Sequence, residues 1–439
     1  MRQSRSIGRV RSAILAGAAG LALPAGPASA QNSFGPFLES PIPLDIDRGR
    51  QVSVLDRARP EYEADGVIVG GFTVYPEAQV GVGVTSNVFA APDDAKSAAF
   101  LTFDPRLRAA SNWLRHGVSV SAAGAFRRYI DRSIRNEDGL AARIDGRLDV
   151  SSDLKINGAA GISRGYQSQY SSEIPANAVA PIEFVKAFGQ VRATYGVGRV
   201  RATIAGDVNG LDFKDAKLGT TLLDQDFRDR TVTRGAARIE YSAFSDVWIF
   251  GEVSASDIDY RLATIGQARP NRDGSDYRYL AGTSFDFTAL ARARVGIGYI
   301  ERTFKSPIYR NLSGFGYDAR IEFFPSGLTT ISAAAQRSIG EAVTVNSSGY
   351  FSNELLLRAD HELLRNLLLF GQVRYARNRF EGIDRRDNIW IAEGGANFLI
   401  DRNLRLSGGL AYSDRTSKGI NRGQEFDEIR GIVALALAI

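Results

Sequence analysis

The stretch from Leu140 to Val150, LAARIDGRLDV, decides the fold, because from residue 142 onward apolar and charged residues alternate strictly. Successive side chains of a β-strand point to opposite faces, so the aliphatic residues share one face and the charges share the other. A helix, with its period of 3.6, would scatter the same charges around its axis. The segment therefore predicts a long strand with one apolar face and one wet face.

The same alternation continues from about Gly70 to the C-terminus, interrupted only by turns. The predicted strands cover residues 70–86, 99–111, 117–130, 139–151, 154–168, 181–197, 199–214, 227–243, 246–260, 274–288, 291–306, 311–325, 328–340, 349–361, 366–380, 387–401, 404–418 and 424–439. This pattern predicts about eighteen antiparallel strands, with about sixteen as the alternative, and bacterial barrels require an even number.

Short connections alternate with longer polar ones, as periplasmic turns and extracellular loops do in outer-membrane proteins. The competing fold is a soluble β-sandwich, whose strands average about five or six residues. The segments here are about twice that length, as tilted membrane strands must be. We therefore predict an all-β, transmembrane, up-and-down β-barrel over residues 67–439, located in the outer membrane.

The N-terminus combines a basic segment with four arginines, an apolar run from Ala13 to Leu23, and Ala28-Ser29-Ala30. These are the three parts of a secretory signal peptide, which predicts cleavage after residue 30. Its removal lowers the formal net charge from +5 to about +1, so most of the basic character (pI 9.3) belongs to the export signal.

Residues 31–66 form an irregular arm that is interrupted by Pro36, Pro41, Pro43 and Pro60 and has no sustained apolar period. A periplasmic tether is the simpler interpretation of this arm. A plug inside the barrel is the alternative.

Alternation assigns a set of charged side chains to the inner face of the barrel. The candidates for lining a pore are Arg106, Arg108, Arg127, Arg143, Arg147, Arg192, Arg201, Arg234, Arg238, Arg278, Arg292, Arg294, Arg374, Asp104, Asp145, Asp149, Glu240, Glu252 and Glu354. One interpretation is a hydrated pore with a mild preference for anions. The other is that most of these charges pair across strands and stiffen the wall.

Enzymatic chemistry finds little support in the sequence. The pattern Ser152-x-x-Lys155 falls in a predicted tight turn and is frequent by chance. His116 and His361 lie far apart, with no nucleophile and acid arranged around either in a recognisable pattern. We therefore predict that the protein is not an enzyme.

Cofactor and nucleic-acid binding find no support either. The chain has no cysteine and two histidines, which excludes thiolate-ligated metals and leaves little for a histidine site. Asp224, Asp226 and Asp229 lack the spacing and the glycine of an EF-hand loop. Basic and aromatic residues do not cluster as in nucleic-acid-binding proteins. The expectation is no cofactor, no metal and no nucleic-acid partner.

Four short motifs resemble a known family. The first is Val54-Leu55-Asp56-Arg57 followed by Pro60-Glu61-Tyr62; the others are Ser86-Asn87-Val88-Phe89, Phe126-Arg127-Arg128-Tyr129, and the run from Asp360 to Leu367, DHELLRNL. Together they resemble the beta-barrel porin 2 family of proteobacterial outer membranes over nearly the whole mature chain, although Ser86 stands where an aspartate is expected. The resemblance implies an outer-membrane barrel with porin-like transport or export of a surface polysaccharide.

Two classes of function remain open. The first is a channel, either for solutes or for a polysaccharide, and the second is a non-conducting structural or interaction barrel. The expected partners are outer-membrane lipid, the barrel assembly machinery and, for export, a periplasmic export protein. The longest loops have about fifteen residues, and we expect none of them to fold into the lumen as a porin constriction loop does.

Overall fold

The computed structural model describes residues 42, 52–175, 178–265, 269–287, 290–344 and 346–439. The predicted signal peptide, residues 1–30, lies outside the described residues. The strands are β1 Val67–Val69, β2 Phe72–Thr85, β3 Ala98–Ser111, β4 Gly117–Tyr129, β5 Glu137–Asp149, β6 Leu154–Tyr166, β7 Glu183–Val197, β8 Val200–Phe213, β9 Ala216–Leu218, β10 Thr221–Leu223, β11 Arg230–Phe244, β12 Val247–Tyr260, β13 Thr264–Ile265, β14 Arg269–Pro270, β15 Gly274–Phe287, β16 Ala291–Phe304, β17 Leu312–Ser326, β18 Thr329–Gly340, β19 Gly349–Leu364, β20 Leu367–Glu381, β21 Arg386–Leu399, β22 Leu404–Lys418 and β23 Phe426–Ala438.

Eighteen of these strands form one closed antiparallel barrel in which each long strand pairs with its neighbours along the chain. The last strand, β23, pairs with the first long strand, β2, from Thr85 opposite Arg430 to Glu77 opposite Ala438. Closure leaves the sheet without an edge, as a membrane-spanning sheet requires. The predicted fold class and the strand number of eighteen are confirmed.

The remaining strands are short. β1 pairs with β2, and the hairpins β9–β10 and β13–β14 lie in connections between barrel strands. Two single turns of 3-10 helix, Ser133–Arg135 and Asp226–Arg228, also lie in connections. Among the described residues, none belongs to a helix that is long and apolar enough to cross a membrane.

The alternating side chains give the barrel an apolar outer face and a polar inner face. On β2, Val80, Val82 and Val84 are exposed, while Gln79 and Thr85 on the other face are buried. Exposed valine, leucine and isoleucine also lie on the outer face of other strands, such as Leu140, Ile144 and Leu148 on β5, where hydrocarbon covers them. Apolar side chains therefore lie on the outside of the barrel and polar side chains on its inside, which is the reverse of a soluble protein.

The connections differ in length at the two ends of the barrel. Nine connections of four to sixteen residues lie at one end, and eight turns of two to five residues lie at the other. In outer-membrane barrels the longer connections face outward and the short turns face the periplasm, so both ends of the barrel sequence are periplasmic. The two-residue turn between β7 and β8 illustrates the short type: Gly198 has a φ of +58°, which glycine adopts without strain.

Candidate functional site

The strand register places every predicted pore-lining charge on the face opposite the exposed aliphatic side chains. Arg143, for example, lies opposite Ser121 and Gly161, while its neighbours Ala142 and Ile144 belong to the outer face. Many of the predicted residues form ion pairs on this inner face, including Arg106–Glu77, Arg127–Glu137, Arg143–Asp145, Arg147–Asp149, Arg234–Asp207, Arg238–Glu252, Arg278–Asp318, Arg292–Glu322 and Arg294–Glu240.

A stack of charges around Phe250 lies halfway along the barrel. Arg238 donates from Nε to Glu252 Oε2 at 2.7 Å, and Arg294 donates from Nη2 to Glu240 Oε1 at 2.9 Å. The guanidinium carbon of Arg294 lies 4.4 Å from the centre of the Phe250 ring, and that of Arg238 lies 5.7 Å from it. All four charged residues are at most 5% exposed, so charge-assisted hydrogen bonds and the ring replace their water.

Glycine makes room for the Phe250 ring on the wall. A Cβ atom at Gly282, which lies opposite Phe250, would come within 2.0 Å of the Val295 carbonyl oxygen and 2.8 Å of the ring. Only glycine therefore lets the aromatic ring lie against the backbone of β15 and support the arginines above it.

One residue of the N-terminal arm contacts this stack. The Ile42 carbonyl accepts a hydrogen bond from Arg238 Nη2 at 3.2 Å, and Ile42 is buried. This contact lies midway along β11 and therefore within the barrel.

The arm also contacts the periplasmic end of the barrel. The Val54 N–H donates to Thr330 Oγ1 at 3.0 Å, and Val54 is 1% exposed. Arg59 donates from Nη2 to Glu362 Oε2 at 2.6 Å and to the Val54 carbonyl at 2.9 Å, while Arg57 reaches the same carboxylate at 2.9 Å. The segment around Val54 is thus clamped to the inner faces of β18 and β19.

We expect Glu362→Ala to release this segment. The substitution removes the carboxylate that both arginines share, and breaking a buried ion pair costs about 3–5 kcal/mol. Hydrogen–deuterium exchange of residues 54–62 should therefore become faster. The matched control is Glu61→Gln, because Glu61 pairs with Arg365 in an exposed position and contributes little. Equal exchange of residues 54–62 in the wild type and in Glu362→Ala would contradict the attachment of this segment through Glu362.

At the extracellular end, the connection between β6 and β7 folds into the barrel; its described residues, 167–175 and 178–182, are the inner loop. Its buried residues include Gln167, Ser168, Tyr170, Ser172, Glu173 and Ile182. The Tyr170 hydroxyl donates to Glu428 Oε2 at 2.5 Å, and the Tyr170 ring stacks on Phe426 with centroids 5.6 Å apart. The inner loop thereby covers an apolar cluster formed by Ala90, Tyr170, Ala376, Ile389, Ile391 and Phe426.

The inner loop spans the full width of the barrel. Tyr350 on β19 donates a hydrogen bond to Glu173 Oε1 at 3.0 Å, and β19 is nine strands from β6 in either direction around the sheet. The expectation that no loop folds into the lumen was therefore wrong. The loop reaches the far wall through successive turns, in the first of which the Ser171 N–H donates to the Ser168 carbonyl at 2.9 Å.

Two arginines from the opposite wall hold the backbone of the inner loop. Arg385 donates from Nη2 to the Ser172 carbonyl at 3.0 Å, and Arg415 donates from Nη1 to the Ser171 carbonyl at 2.9 Å. Asp387, which is 0% exposed, accepts from both arginines at 2.7 and 3.2 Å and fixes their orientation. Arg385, Asp387 and Arg415 are called the loop clamp below.

The centre of the inner loop carries a buried ion pair. Glu173 pairs with Arg228, from the connection between β8 and β11, at 3.2 Å, and both side chains are buried. Burial raises the pKa of Glu173 above its ordinary value, and burial lowers the pKa of Arg228 to about 10. Both shifts favour the neutral forms, because the loss of water outweighs the mutual attraction.

Closure of the inner loop should therefore depend on pH. A carboxyl group whose pKa is raised in the closed state stabilises that state at low pH, and the stabilisation is lost as the pH rises through the raised pKa. We expect the open probability of single channels to increase as the pH rises from the ordinary value of 4.5 toward neutrality. In Glu173→Gln, whose side chain has the shape of the protonated carboxyl group but cannot ionise, the open probability should not change with pH.

The neighbouring acid, Glu341, titrates at lower pH than Glu173. Although Glu341 is partly buried, Arg230 and Arg302 lower its pKa below 4.5, so its effect falls outside this window. An open probability that falls with rising pH, or a pH response that persists in Glu173→Gln, would contradict the assignment to Glu173.

The residues weighed for catalysis and metal binding are dispersed. His116 Nδ1 accepts a hydrogen bond from the Asp149 N–H at 3.2 Å, and His361 Nδ1 lies 2.9 Å from Thr329 Oγ1. The carboxylates of Asp215, Asp224 and Asp226 lie within 4.8 Å of one another on the connection between β8 and β11. Two members of this group are exposed, and we assign no ion to it.

Asp229, which the sequence grouped with Asp224 and Asp226, lies apart from them. It is buried and accepts a hydrogen bond from the Phe213 N–H at 2.7 Å.

Solved outer-membrane proteins are similar to this chain in overall fold. The copper transporter OprC shares 10% sequence identity, with 85% of this chain and 82% of that chain covered and a TM-score of 0.46. OccK9 (OpdG) of Pseudomonas aeruginosa shares 13% identity, covering 84% and 98% at a TM-score of 0.46. OpdL of the same species shares 12% identity, covering 84% and 100% at a TM-score of 0.44. No curated protein sequence matches the chain.

The family comparison covers most of the sequence. The model described as "Putative beta-barrel porin 2" matches residues 59–438, which include the end of the arm and all eighteen barrel strands. The protein therefore belongs to the beta-barrel porin 2 family of outer-membrane barrels.

Proposed function

We propose that the protein is an outer-membrane channel for small solutes, closed in this conformation by the inner loop and the N-terminal arm. The observation that carries the proposal is a water-accessible strip of charge on the inner wall. Arg143 and Asp145 point inward from β5, yet each side chain is 40% exposed, and Arg201 on β8 is 39% exposed. Charges with this much accessible surface need water beside them, so a hydrated passage runs along this part of the wall.

An excess of arginine points to the class of solute. Arginines outnumber acids at the contacts of the inner loop: the five arginines are Arg135, Arg228, Arg385, Arg415 and Arg430, and the three acids are Glu173, Asp387 and Glu428. A constriction with net positive charge lowers the barrier for anions and raises it for cations. We therefore propose small anionic solutes as the preferred cargo.

The position of the inner loop at the extracellular end of the barrel bears on the competing functions. Export of a surface polysaccharide would require the inner loop to leave the lumen along its whole length, so the clamped loop favours small solutes over a polymer. A non-conducting barrel would keep the loop and the arm in place permanently. The same proposal includes export directed by residues 1–30, insertion by the barrel assembly machinery, and an arm that acts as a plug. It also includes the absence of an enzymatic function.

The test is the reversal potential of the purified protein in a planar bilayer with a potassium chloride gradient. The proposal predicts stepwise current increments and a reversal potential that is shifted toward the equilibrium potential of chloride. Current steps whose reversal potential is shifted toward the equilibrium potential of potassium would contradict the anion preference. If neither the full chain nor the variants opened at the inner loop conduct, the barrel is not a channel.

A further inference from the structure

A row of cations lies on the outer face of the barrel at its extracellular rim. Arg386 on β21 lies directly opposite Arg379 on β20 and directly opposite Lys418 on β22. All three side chains are exposed and share the face of Trp390 and Tyr412, which point toward lipid. We call Arg379, Arg386 and Lys418 the rim row.

Like charges at directly paired positions repel each other. The Cβ atoms of such pairs are about 4.5–5.5 Å apart, and like charges opposite each other destabilise a sheet. Within the described residues, Arg386 and Lys418 form no ion pair, and Arg379 has one weak contact, with Glu381 at 3.5 Å. Arg377, one position further into the membrane face of β20, adds a fourth exposed cation.

Several other exposed cations of the rim have acidic partners. Arg128 pairs with Asp138, Lys214 pairs with Asp212 at 2.6 Å, and Lys305 pairs with Asp259 at 2.9 Å. The rim row is therefore a local excess of positive charge, and an anion from outside the chain would offset it.

The position of the rim row relative to the membrane interface indicates the kind of anion. Tyr375 and Trp390 lie opposite each other, with ring centroids 4.4 Å apart, and such aromatic pairs mark the membrane interface. Arg386 lies four residues beyond Trp390, about 13 Å along a tilted strand. A polar headgroup layer is about 5–8 Å thick, and long basic side chains can reach back toward it. The acid Asp414 lies opposite Trp390 and therefore below the rim row, at the level of the aromatic rings.

We propose that the rim row binds the phosphate-bearing headgroup of a glycolipid in the outer leaflet. Arginine and lysine at this position can surround phosphate oxygens with charge-assisted hydrogen bonds. The acyl chains would then lie against the exposed aliphatic residues below, such as Val373 and Leu410. The site is independent of the lumen, so it holds whether or not the barrel conducts.

The experiment measures binding of diphosphoryl lipid A to the full-length barrel in detergent by native mass spectrometry. Each basic residue near an anionic lipid surface contributes roughly 1 kcal/mol, so Arg379→Gln, Arg386→Gln and Lys418→Gln together should weaken binding on the order of 100-fold. The control carries Arg128→Gln, Lys214→Gln and Lys305→Gln, which remove three cations that already have acidic partners. We expect binding by this control to equal that of the wild type.

Salt, dephosphorylated lipid and free phosphate distinguish a lipid site from a general affinity for anions. Binding should weaken as salt is added, because the contacts are exposed. Lipid A without phosphates should bind poorly, and inorganic phosphate should not displace the lipid. The proposal is overturned if the triple variant binds like the wild type, if the dephosphorylated lipid binds as tightly, or if free phosphate competes at similar concentration.

Discussion

Replacing Asp387 by alanine is expected to lower the free energy of unfolding of the barrel by about 3–5 kcal/mol. Asp387 is completely buried at the beginning of β21 and accepts hydrogen bonds from Arg385 at 2.7 Å, Arg415 at 3.2 Å and Ser417 at 2.6 Å. Without the carboxylate, two buried guanidinium groups face each other without an anion. Denaturant unfolding in detergent micelles measures the change.

The same substitution should loosen the inner loop, since Asp387 orients the arginines that hold the carbonyls of Ser171 and Ser172. Hydrogen–deuterium exchange over residues 167–175 should become faster. Asp212→Asn is the control, because Asp212 pairs with Lys214 in an exposed position. Equal stability of Asp387→Ala and the wild type would show that the loop clamp contributes nothing.

Removing the inner loop is expected to produce a several-fold increase in single-channel conductance. The variant replaces residues 168–181 with a short glycine–serine turn between β6 and β7, which leaves every barrel strand intact. An eighteen-stranded barrel is wide enough for an aqueous channel once nothing crosses it. The conductance should rise because the segment that contacts β19 on the far wall is gone.

The control for this deletion removes only residues 219–222, an exposed tip that includes Gly219 and part of the β9–β10 hairpin. Its conductance should match that of the wild type. Unchanged conductance in the inner-loop deletion, measured on protein that still folds, would show that this loop does not obstruct the passage.

The wall of the barrel could be predicted from the sequence because period 2 is a local signal. The predicted strand 404–418 coincides with β22, Leu404–Lys418, and the predicted 117–130 differs from β4, Gly117–Tyr129, by one residue. Each residue of such a strand faces either hydrocarbon or the lumen, so a register error would expose charge to lipid. The side of the wall on which Arg143 or Phe250 lies follows directly from this alternation.

The contacts that the inner loop and the arm make inside the barrel could not be predicted in detail, because they join residues far apart in the chain. Tyr170 binds Glu428, 258 residues away, and Val54 binds Thr330, 276 residues away. No local period distinguishes a loop that turns inward from one that turns outward. The one available signal was the composition of residues 167–173, QSQYSSE, whose side chains can all form hydrogen bonds and so suit a path across a charged wall.

The central claim is that a hydrated, charged passage runs through this barrel and is closed by two internal segments. The most direct test is the single-channel conductance, in planar bilayers, of a barrel that lacks both residues 31–66 and the inner loop. The claim predicts large stepwise current increments that are anion-selective and exceed those of the full chain. A doubly shortened barrel that folds, as heat-modifiable gel mobility would show, and yet gives no current steps would contradict it.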